Sequence, residues 1–600
     1  MRDFSDRKRI IFSIFLTTGI IFLFRLFYIQ IIDDSYKLSA DNNVLRYITQ
    51  YPARGVIYDR NGKLLVQNQP AYDLMVIPKQ LKEIDTADFC RLIEITKEQL
   101  INKLHIARKY SLYKPSVFQK QLSVEMYAAF QEKLYKFPGF FVQLRTLRKY
   151  PQNIAAHVLG YVSEVDSKII ENDSYYKAGD YIGNSGIEQS YEEILRGKKG
   201  IKVFVVDVFN SIKGSFANGE YDSLSVPGIS ITSTIDSKLQ KYGELLMQNK
   251  KGSIVAIEPS TGEILALVTS PAYNPNLLVG RVRSGNYRIL ERDTLVPLFN
   301  RALMAQYPPG STFKIIEALI GLQEQVIFPN TMFSCNKSLV NCHNHPSPLD
   351  LHGSIQNSCN PYYYMVFKRI INKGISDNKD SEIGLEEWRK HILSFGLGNK
   401  LNIDIPNEKS GNIPSANYYN KVYGKGRWQF ETIYSLGIGQ GEILFVPLQM
   451  ANYTAAIANR GYYYTPHLIK PPSGSPLMGG ESQRSKNQTT IDPEYFDLIV
   501  EAMWDVVERG TATRAKIKDI AVCGKTGTAE NPHGEDHSIF IAFAPKDKPE
   551  IAISVVVENS GFGGTWAAPI ASLMIEKYLT DSISSPWEEE RILNADFIKN

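Results

Sequence analysis

One segment constrains the fold of this chain more than any other: a turn at residues 307–310, followed at once by an apolar helix pattern. The Pro-Gly pair in that turn breaks the preceding structure. Apolar residues then recur at helical spacing from position 313 to position 322, which predicts a buried helix. Ser311 and Lys314 open this helix, and side chains three residues apart share one helix face. A serine and a lysine are therefore expected side by side at the start of a core helix.

Such a pair can serve as a nucleophile and its base without any histidine. The positive end of the helix dipole also favours negative charge developing at Ser311. The spacing alone is weak, because the chain contains six S-x-x-K sequences and a motif needs its structural context. The other five, which begin at positions 5, 111, 174, 334 and 376, lack the turn and the apolar helix. Ser311 is the predicted nucleophile and Lys314 the predicted base.

Two further motifs follow in chain order. Ser358 and Asn360 form an S-x-N directly before the apolar stretch 362–367. The third motif, which lies between strand-like sequences, consists of Lys525, Thr526, Gly527 and Thr528. S-x-x-K, S-x-N and K-T-G in this order are typical of penicillin-recognising serine enzymes. Each motif is weak by itself, and their joint occurrence is strong.

Two other sequences compete for the second and third places. Residues 376–378 read Ser-Asp-Asn, but they lie in a polar stretch typical of an exposed loop. Lys409-Ser410-Gly411 resembles a third motif, yet it stands between Pro406 and Pro414, which is poor context for a central strand. We therefore prefer Ser358 and Lys525.

A membrane anchor is predicted at the N-terminus. Residues 10–32 form a stretch of 23 residues with a single charge, Arg25, which is long enough to cross a bilayer as a helix. Basic residues before it predict a cytoplasmic N-terminus and a single pass. A cleaved signal peptide is the alternative, but the stretch is long and no small-residue cleavage site follows. The remainder of the chain is expected outside the cytoplasmic membrane, in the periplasm or its equivalent.

Composition and pattern divide the rest of the chain. Hydrophobic residues make up 43% and charged residues 22%, and the net charge of +4 is too small to suggest nucleic-acid binding. Five cysteines are too few for a disulfide scaffold. Strands, then helices, then strands in the second half predict an α+β fold with a central antiparallel sheet covered by helices. The predicted parts are a cytoplasmic tail at 1–9, the transmembrane anchor at 10–32, a non-catalytic domain at 33–225, a catalytic domain at 226–580 and a weakly ordered C-terminal tail at 581–600.

A second cluster lies between the first two motifs and is rich in cysteine and histidine. Its members are Cys335, Cys342, His343, His345, Asp350, His352 and Cys359. This density suggests a structural zinc ion, although the spacing matches no standard zinc finger. A Cys335–Cys342 disulfide and unpaired surface histidines are the alternatives. The predicted ligand set is Cys335, Cys342, His343 and His345, and no cofactor is expected to be required.

Taken together, the chain resembles the class B penicillin-binding proteins, and most of all their elongation type. Segments 54–62, 148–161 and 183–197 are similar to the three motifs of the family's pedestal, or dimerisation-type, domain. Segments 273–276, 300–302 and 439–441 are similar to landmarks of its transpeptidase domain. The form of residues 307–310 favours the elongation type over the septal type. The resemblance spans essentially the whole chain and implies an elongated pedestal at 33–225.

The resemblance also implies a function: a membrane-anchored serine-type D-Ala-D-Ala transpeptidase that cross-links peptidoglycan stem peptides and is acylated by β-lactams. It implies that Ser311 attacks the penultimate D-alanine. Burial of Lys314 beside Lys525 is expected to lower its pKa. Ser358 would pass the proton to the leaving group, and Asn360 would hold a substrate amide.

The third motif completes the expected site. Lys525, Thr526 and Thr528 can meet a substrate carboxylate through charge and hydroxyl hydrogen bonds. The backbone N–H groups of Ser311 and Thr528 are the expected oxyanion donors. Ser358 has a plainer alternative as a helix N-cap.

Other functions on this scaffold remain open at the level of sequence. A D,D-carboxypeptidase or β-lactamase-like hydrolase needs a water-activating group that the sequence does not reveal, and carboxypeptidase activity is possible as a side reaction. A β-lactam sensor is expected to carry more membrane spans, and an inert scaffold to lack Ser311 or Lys525. The expected partners are stem peptides, β-lactams, the cytoplasmic membrane, a glycosyltransferase and other proteins of the elongation machinery.

Overall fold

The computed structural model of the protein describes residues 5–28, 45–206, 212–374, 379–470 and 485–598. The chain forms two compact units, and neither is continuous in sequence. The first unit comprises Met1–Arg54, Gln69–Leu147 and Arg196–Ile229. The second comprises Gly55–Asn68, Arg148–Leu195 and Ser230–Asn600.

The N-terminal helix has the length and composition of a membrane span. It extends over Ser5–Phe27, and its 18 residues Ile10–Phe27 have a mean hydropathy of 2.3. None of that stretch is buried against the rest of the protein, so its apolar side chains are free to face lipid. Residues 29–32 of the predicted anchor lie outside the described residues.

Two small sheets and three helices form the remainder of the first unit. In one sheet, strand Leu45–Gln50 pairs antiparallel with Gly200–Val206, which pairs in turn with Ile212–Ser215. In the other, strand Ser116–Leu122 pairs antiparallel with the second half of strand Leu64–Val76, which also pairs with Phe140–Lys149. The helices are Thr86–Leu92, Lys97–Tyr110 and Val124–Lys133.

Local sequence explains where these three helices begin. Asp85, Thr96 and Ser123 each accept a hydrogen bond from a backbone N–H of the following turn, which satisfies donors that a helix N-terminus leaves free. The helices pack their apolar faces around the buried ring of Phe89. Four other rings lie with centroids 4.5 to 5.7 Å from it: Phe118, Phe130, Phe137 and Phe140. This aromatic cluster is the core of the unit.

The centre of the second unit is a five-stranded antiparallel sheet. In spatial order its strands are Ile264–Ser270, Gly252–Ile257, Ile551–Val557, His537–Ala544 and Cys523–Ala529. The first two form an antiparallel hairpin around Gly262. The strand with the third motif therefore occupies one edge of the sheet. The α+β class with a central antiparallel sheet is confirmed.

Helices cover both faces of this sheet. Ser538 and Ser554 point to opposite faces, because Ser554 pairs with Ile541, three residues from Ser538. The Ser538 hydroxyl accepts from the first backbone N–H of helix Ala567–Thr580 on one face. The Ser554 hydroxyl donates to the first carbonyl of helix Pro447–Ala458 on the other face. All residues of the three inner strands are buried except His537, which is half-buried.

The second unit contains further helices and strands outside the central sheet and its two covering helices. Its other helices are Ala156–Leu159, Ser167–Asn172, Gly186–Ser190, Glu192–Arg196, Ser237–Leu246, Arg283–Arg292, Arg301–Met304, Lys314–Gln323, Leu351–Gln356, Asn360–Ile371, Asp380–Ser394, Ala416–Tyr423, Phe430–Ile433, Glu494–Arg509 and Pro586–Asn594. Its other strands are Ile57–Tyr58, Val162–Glu164, Tyr181–Gly183, Ile231–Thr232, Tyr462–Tyr464 and Lys486–Gln488.

Residues matched to the family's pedestal motifs lie inside the second unit. Arg148 and Glu188 form a fully buried ion pair at 2.6 Å, and the same guanidinium donates to Asn68 and to the carbonyl of Gly55. A buried charge needs such partners, since an unpaired one is costly. The pair therefore links three segments that are far apart in sequence.

The C-terminal segment is ordered, and the prediction of a weakly ordered tail is wrong for its described part. Residues Pro586–Asn594 form a helix, and Ile592 is fully buried in the main core. The buried Lys250 ammonium donates to the carbonyl of Ala595 at 3.1 Å. Apolar burial of isolated positions in a polar segment is set by tertiary packing, which composition does not reveal.

Candidate active site

The first motif lies where a tight turn becomes a buried helix, as predicted. Residues Gly310–Phe313 form a 3-10 turn that leads directly into helix Lys314–Gln323. Side chains three residues apart eclipse one another in 3-10 geometry. Ser311 and Lys314 are therefore stacked along one face. Lys314 has no solvent-exposed surface, whereas Ser311 is half-buried.

The Lys314 ammonium reaches the second motif. Its Nζ lies 2.7 Å from the carbonyl oxygen of Ser358, 2.5 Å from Oδ1 of Asn360 and 3.3 Å from the Ser358 hydroxyl. The carbonyl and amide oxygens can only accept hydrogen bonds. A neutral Lys314 amine has two N–H groups, and these two oxygens accept both of them. Its lone pair then remains free to accept a proton from a hydroxyl group.

Ser358 stands between two lysines. Its hydroxyl accepts from Nζ of Lys525 at 2.8 Å and lies 3.3 Å from Nζ of Lys314. The residue has a φ of 54°, in the left-handed region that is uncommon outside glycine. The N-cap of the following helix, Asn360–Ile371, is Cys359. The plainer reading of Ser358 as that helix cap is therefore wrong.

Burial controls the charge of both lysines. Burial lowers the pKa of Lys314 to about 8, and nearby cysteine thiols partly oppose this shift. Burial, and secondly the charge of Lys314, hold the pKa of Lys525 well below its usual range. The expected repulsion between the two lysines thus acts mainly on Lys525. A lysine whose pKa is near 8 is partly neutral at physiological pH and can accept a proton.

The third motif occupies the edge strand Cys523–Ala529. Lys525 is fully buried and also donates to the carbonyl of Thr526. The hydroxyl of Thr526 lies 2.8 Å from the hydroxyl of Thr511, a residue that the sequence did not single out. Thr528 is half-buried on the same strand. Of the three predicted carboxylate contacts, Thr528 is thus the one most open to solvent.

Close glycine contacts bring the first and third motifs together. A Cβ atom on Gly310 would lie 2.5 Å from the carbonyl oxygen of Thr528, and one on Gly527 would lie 2.8 Å from the carbonyl oxygen of Pro309. Only glycine permits such close backbone approach. The backbone N–H groups of Ser311 and Thr528 therefore belong to adjoining segments, as an oxyanion site requires.

Residues 439–441 form hydrogen bonds to both of these segments, the turn before Ser311 and the strand with Thr528. The carbonyl of Gly439 accepts from the N–H of Gly310 at 2.9 Å, and the Gln440 amide donates to the carbonyl of Thr528 at 3.2 Å. Gly439 has a φ of 76°, and a Cβ there would lie 2.2 Å from the oxygen of Gly310. The sequence marked this segment only as a family landmark.

The cysteine and histidine cluster adjoins the second motif. Donor atoms of Cys335, Cys342, His345 and Cys359 all lie within 4.8 Å of one another. Three of these four residues were predicted, and Cys359 joins them where His343 was expected. The backbone N–H of Asn360 donates to the sulfur of Cys342 at 3.4 Å. A hydrogen bond from Cys359 is the main cause that lowers the pKa of the Cys342 thiol.

The remaining members of the sequence cluster have other partners. Asp350 caps helix Leu351–Gln356, and His352 lies 2.6 Å from Asp505. The sulfur of Cys342 lies 4.0 Å from Nδ1 of His343 and 3.4 Å from Nε2 of His345. All five cysteines of the chain are free thiols, so the Cys335–Cys342 disulfide is not formed in the structure.

The competing motifs do not reach this site in the described residues. Residues 376–378 lie outside the described residues. Lys409 is exposed in an irregular segment, where its N–H donates to the carbonyl of Leu303. It is not part of the central sheet, in agreement with the choice of Lys525.

The fold and the converging motifs define a class of protein, the penicillin-binding transpeptidases. The penicillin binding protein transpeptidase domain matches residues 252–576, and the penicillin-binding protein dimerisation domain matches residues 49–231. Because these matches together cover most of the chain, this chain belongs to the penicillin-binding protein family.

Individual relatives narrow the comparison. The chain is 30% identical to the peptidoglycan D,D-transpeptidase MrdA of Acinetobacter baumannii, over 98% of this chain and 90% of that protein. Its fold is similar to that of Helicobacter pylori PBP2 in complex with MreC, with a TM-score of 0.72, 26% identity, and coverage of 89% of this chain and 100% of that one. It is also similar to Pseudomonas aeruginosa PBP2 in complex with WCK 5153, with a TM-score of 0.65, 27% identity, and coverage of 90% and 97%.

Proposed function

We propose that this chain is a membrane-anchored peptidoglycan D,D-transpeptidase that cross-links stem peptides during cell-wall elongation. One observation carries the proposal: Lys314, Ser358, Asn360 and Lys525 form a single hydrogen-bonded group, and the half-buried Ser311 lies three residues before Lys314 in the turn that leads into the same helix. The near-complete match to relatives named MrdA supports the elongation role over the septal one.

In the first step, the Ser311 hydroxyl oxygen attacks the carbonyl carbon of the penultimate D-alanine. The neutral Lys314 amine accepts the hydroxyl proton as the new C–O bond forms. The carbonyl oxygen becomes an oxyanion, and we assign its stabilisation to the backbone N–H groups of Ser311 and Thr528, whose segments adjoin. The fixed hydrogen bonds from Lys314 to Ser358 and Asn360 keep the amine in place for this transfer.

In the second step, the C–N bond of the terminal D-alanine breaks. The proton held by Lys314 passes through the Ser358 hydroxyl to the leaving amine, because that hydroxyl contacts both lysines. An amine of a second stem peptide then attacks the Ser311 ester, loses its proton along the same path and returns the serine hydroxyl. The new peptide bond is the cross-link.

Recognition of the terminal carboxylate is assigned to the third motif. The Thr528 hydroxyl is the accessible donor, and Thr526 is held by Thr511. Lys525 acts from beneath, since its ammonium is fully buried. Both ends of the Asn360 amide are engaged by protein groups, Lys314 and the carbonyl of Asn341. We therefore assign Asn360 to positioning Lys314, and binding of a substrate amide would require its bond to Asn341 to open.

A hydrolase on the same scaffold needs a general base for water. The carboxyl group closest in sequence to the Ser–Lys pair on the same helix is Glu317. It is fully buried, accepts a hydrogen bond from Trp388 at 2.8 Å, and burial raises its pKa to about 8. Glu317 is therefore mostly protonated at neutral pH, and because it is fully buried it is not exposed to solvent water that it could activate. This favours transfer to an amine over hydrolysis.

The cysteine and histidine cluster fits a structural zinc ion. Three thiols and one imidazole are a common donor set, and zinc–sulfur bonds of about 2.3 Å place ligand atoms about 4 Å apart in a tetrahedron. The observed separations, within 4.8 Å, are compatible with this arrangement. Cys335, Cys342, His345 and Cys359 would hold the ion, which would supply structural cross-linking of this loop. Since Cys359 follows Ser358 directly, the loop holds the second motif in place.

Location and partners follow from the anchor and the relatives. The helix Ser5–Phe27 anchors the chain in the cytoplasmic membrane by a single pass, with the N-terminus inside and the catalytic domain outside. Residues 33–225 serve as a pedestal and residues 226–580 as the transpeptidase domain. The related Helicobacter pylori PBP2 forms a complex with MreC, which supports docking of this chain to the elongation machinery. We assign this docking to the pedestal, and a glycosyltransferase is the expected enzymatic partner.

Acylation by a penicillin tests the proposal directly. Intact mass of the full-length protein should rise by the mass of one penicillin, and digestion should place the adduct on the peptide with Ser311. Ser311→Ala should abolish the adduct, whereas the matched change Ser334→Ala, which alters another S-x-x-K sequence, should leave it. An adduct on Ser376 or Ser111 would refute the assignment.

A further inference from the structure

The C-terminal helix Pro586–Asn594 lies beyond the matched transpeptidase domain, which ends at residue 576. It is docked on the second unit through the fully buried Ile592. Its Arg591 is only partly exposed and points to the loop at residues 561–566. That loop connects the central strand Ile551–Val557 to the helix Ala567–Thr580.

Arg591 contacts this loop through a hydrogen bond and through a cation–π interaction. Its Nη2 donates to the carbonyl of Thr565 at 2.7 Å, and its guanidinium carbon lies 4.4 Å from the ring centroid of Trp566. The same Trp566 ring meets the edge of Phe597, from the segment after the helix, at 4.9 Å. A planar guanidinium can donate and stack at the same time, whereas a lysine ammonium cannot. The end of the loop is thus clamped by two C-terminal side chains.

The other end of the loop lies on the third motif. A Cβ on Gly563 would be 2.3 Å from the carbonyl oxygen of Gly527, and one on Gly564 would be 2.6 Å from the carbonyl oxygen of Thr511. The backbone of the loop is therefore in direct contact with the motif strand and with its neighbour. Any shift of the loop must be transmitted to these two segments, because close-packed backbone does not yield.

A carboxylate on the helix reaches the second of these segments. Glu588 is 4% exposed, and its Oε1 accepts from Arg591 at 3.1 Å and lies 3.8 Å from the guanidinium of Arg514. Arg514 follows Thr511 by three residues, and the Thr511 hydroxyl contacts Thr526 of the motif. One C-terminal helix therefore holds both segments that flank the third motif.

We propose that Arg591 is a positioning residue for carboxylate recognition by the third motif. It fixes the loop at 561–566 and, through Glu588, the Thr511 segment, and these fix the strand that presents Thr526 and Thr528. The inference rests on the proposed function, in which this strand binds the terminal carboxylate of the donor peptide or the carboxylate of a penicillin. Arg591 does not touch the reacting atoms.

The test uses the full-length protein in detergent and two probes, a penicillin with its free carboxylate and the methyl ester of the same penicillin. Binding and acylation constants are measured separately from the concentration dependence of the acylation rate. Arg591→Ala should weaken binding of the free acid by about tenfold, because small misplacements of a recognition group are costly. The ester, which lacks the charge, should change by less than about twofold. Arg591→Lys should fall between wild type and alanine.

Glu589→Ala is the matched control, because Glu589 lies on the same helix but accepts from Tyr242 at 2.7 Å, away from the loop. It should leave both probes unchanged, and the melting temperature of each variant reports on folding. Equal losses for acid and ester, or no loss for either, in Arg591→Ala would overturn the inference. Failure of the proposed function would appear differently, as wild-type protein that is not acylated on Ser311.

Discussion

The state of single protons decides whether the proposed site can work. Lys314 and Lys525 both contact the Ser358 hydroxyl, and two ammonium groups at that hydroxyl would repel each other. Burial resolves the conflict by favouring the neutral amines. The same burial keeps Glu317 protonated on the next turn of the helix. The charge states of Lys314, Lys525 and Glu317 therefore all depend on the exclusion of water from these side chains.

The pH dependence of acylation should report the Lys314 proton. Because the base must be neutral and its pKa is about 8, the acylation rate constant should fall about tenfold per pH unit below that value and level off above it. Rapid-mixing measurements with a fluorescent penicillin between pH 6 and pH 9 would show this limb. Lys314→Arg, which stays protonated, should be slow at every pH, and a flat wild-type profile would show that another group takes the proton.

The stability of the fold should depend on pH because of the buried Glu317 carboxyl group. Its pKa is raised from 4.5 to about 8, so the folded protein holds a proton that the unfolded chain releases. The resulting stability is complete below pH 4.5 and is lost as the pH rises towards 8. Glu317→Gln, which keeps the acceptor for Trp388, should therefore flatten the fall in melting temperature between pH 5 and pH 8.

Two outcomes would separate charge from packing at Glu317. Glu317→Leu removes the acceptor of the buried Trp388 N–H and should lower stability by about 1–3 kcal/mol at every pH. Parallel melting curves for wild type and Glu317→Gln across the range would mean that the carboxyl is already ionised in the folded protein.

At the scale of elements, short loops hold the three motifs together. The segment 439–441 supports the junction between Gly310 and Thr528, and the cysteine loop adjoins Ser358 and Asn360. Neither loop contributes a group to the proposed proton path. Both act by fixing the backbone that presents such groups.

Gly439→Ala should disrupt the contact between the turn at Gly310 and the strand with Thr528. Its Cβ would collide with the oxygen of Gly310 at 2.2 Å, and the residue has a φ of 76°. Acylation should fall at least about a hundredfold, since a displacement of about 1 Å is enough for such a loss. Gly426→Ala is the matched control: its φ of 70° imposes the same strain, but the added Cβ meets nothing within 4 Å. Equal effects of both changes on acylation would show that backbone strain, and not the collision, is responsible.

The cysteine loop should carry about one zinc ion per chain when the protein is purified without added metal. Elemental analysis measures this, and Cys359→Ser should lower the zinc content and the acylation rate together. Cys90→Ser changes a half-buried cysteine of the first unit, outside the loop, and should have no effect. Zinc near zero, together with a Cys335–Cys342 crosslink in a non-reducing digest, would support a disulfide instead.

At the scale of the whole molecule, the division of the chain does not follow its linear order. Residues Gly55–Asn68 and Arg148–Leu195 belong to the same compact unit as the transpeptidase domain. The buried Asp59 accepts from the Ser237 hydroxyl at 2.6 Å, and Arg60 lies within 4 Å of both Glu258 and Glu263. A fragment that starts at residue 226 lacks these partners. A deletion that tests the pedestal should therefore keep Gly55–Asn68 and Arg148–Leu195, which belong to the second unit.

Replacement of residues 69–147 by a short glycine-serine linker should separate the two roles. The Arg148 guanidinium lies 2.8 Å from the Asn68 side chain, so a short linker can join the two ends within the second unit. The shortened protein should be acylated by penicillin within about threefold of wild type, because distant sites usually act independently. It should fail to support elongation in cells that depend on it. Normal growth and cell shape would refute docking through this part of the pedestal.

Much of the chemistry was decided by local sequence. A Pro-Gly turn before an apolar helix predicts where Ser311 and Lys314 lie, because helix periodicity and chain breaks are local properties. The strand-like surroundings of Lys525 and the apolar anchor were predicted on the same basis. These features depend on residues within a few positions of one another.

Tertiary structure alone decided the rest. Lys314, Ser358 and Lys525 come from segments that are distant in sequence, and only packing brings them into one hydrogen-bonded group. The choice of Cys359 over His343, the Thr511–Thr526 contact and the docking of Arg591 likewise depend on distances between separate elements. The pKa of Lys314 belongs here too, because it results from exclusion of water by many distant residues, and no short stretch of sequence encodes that burial.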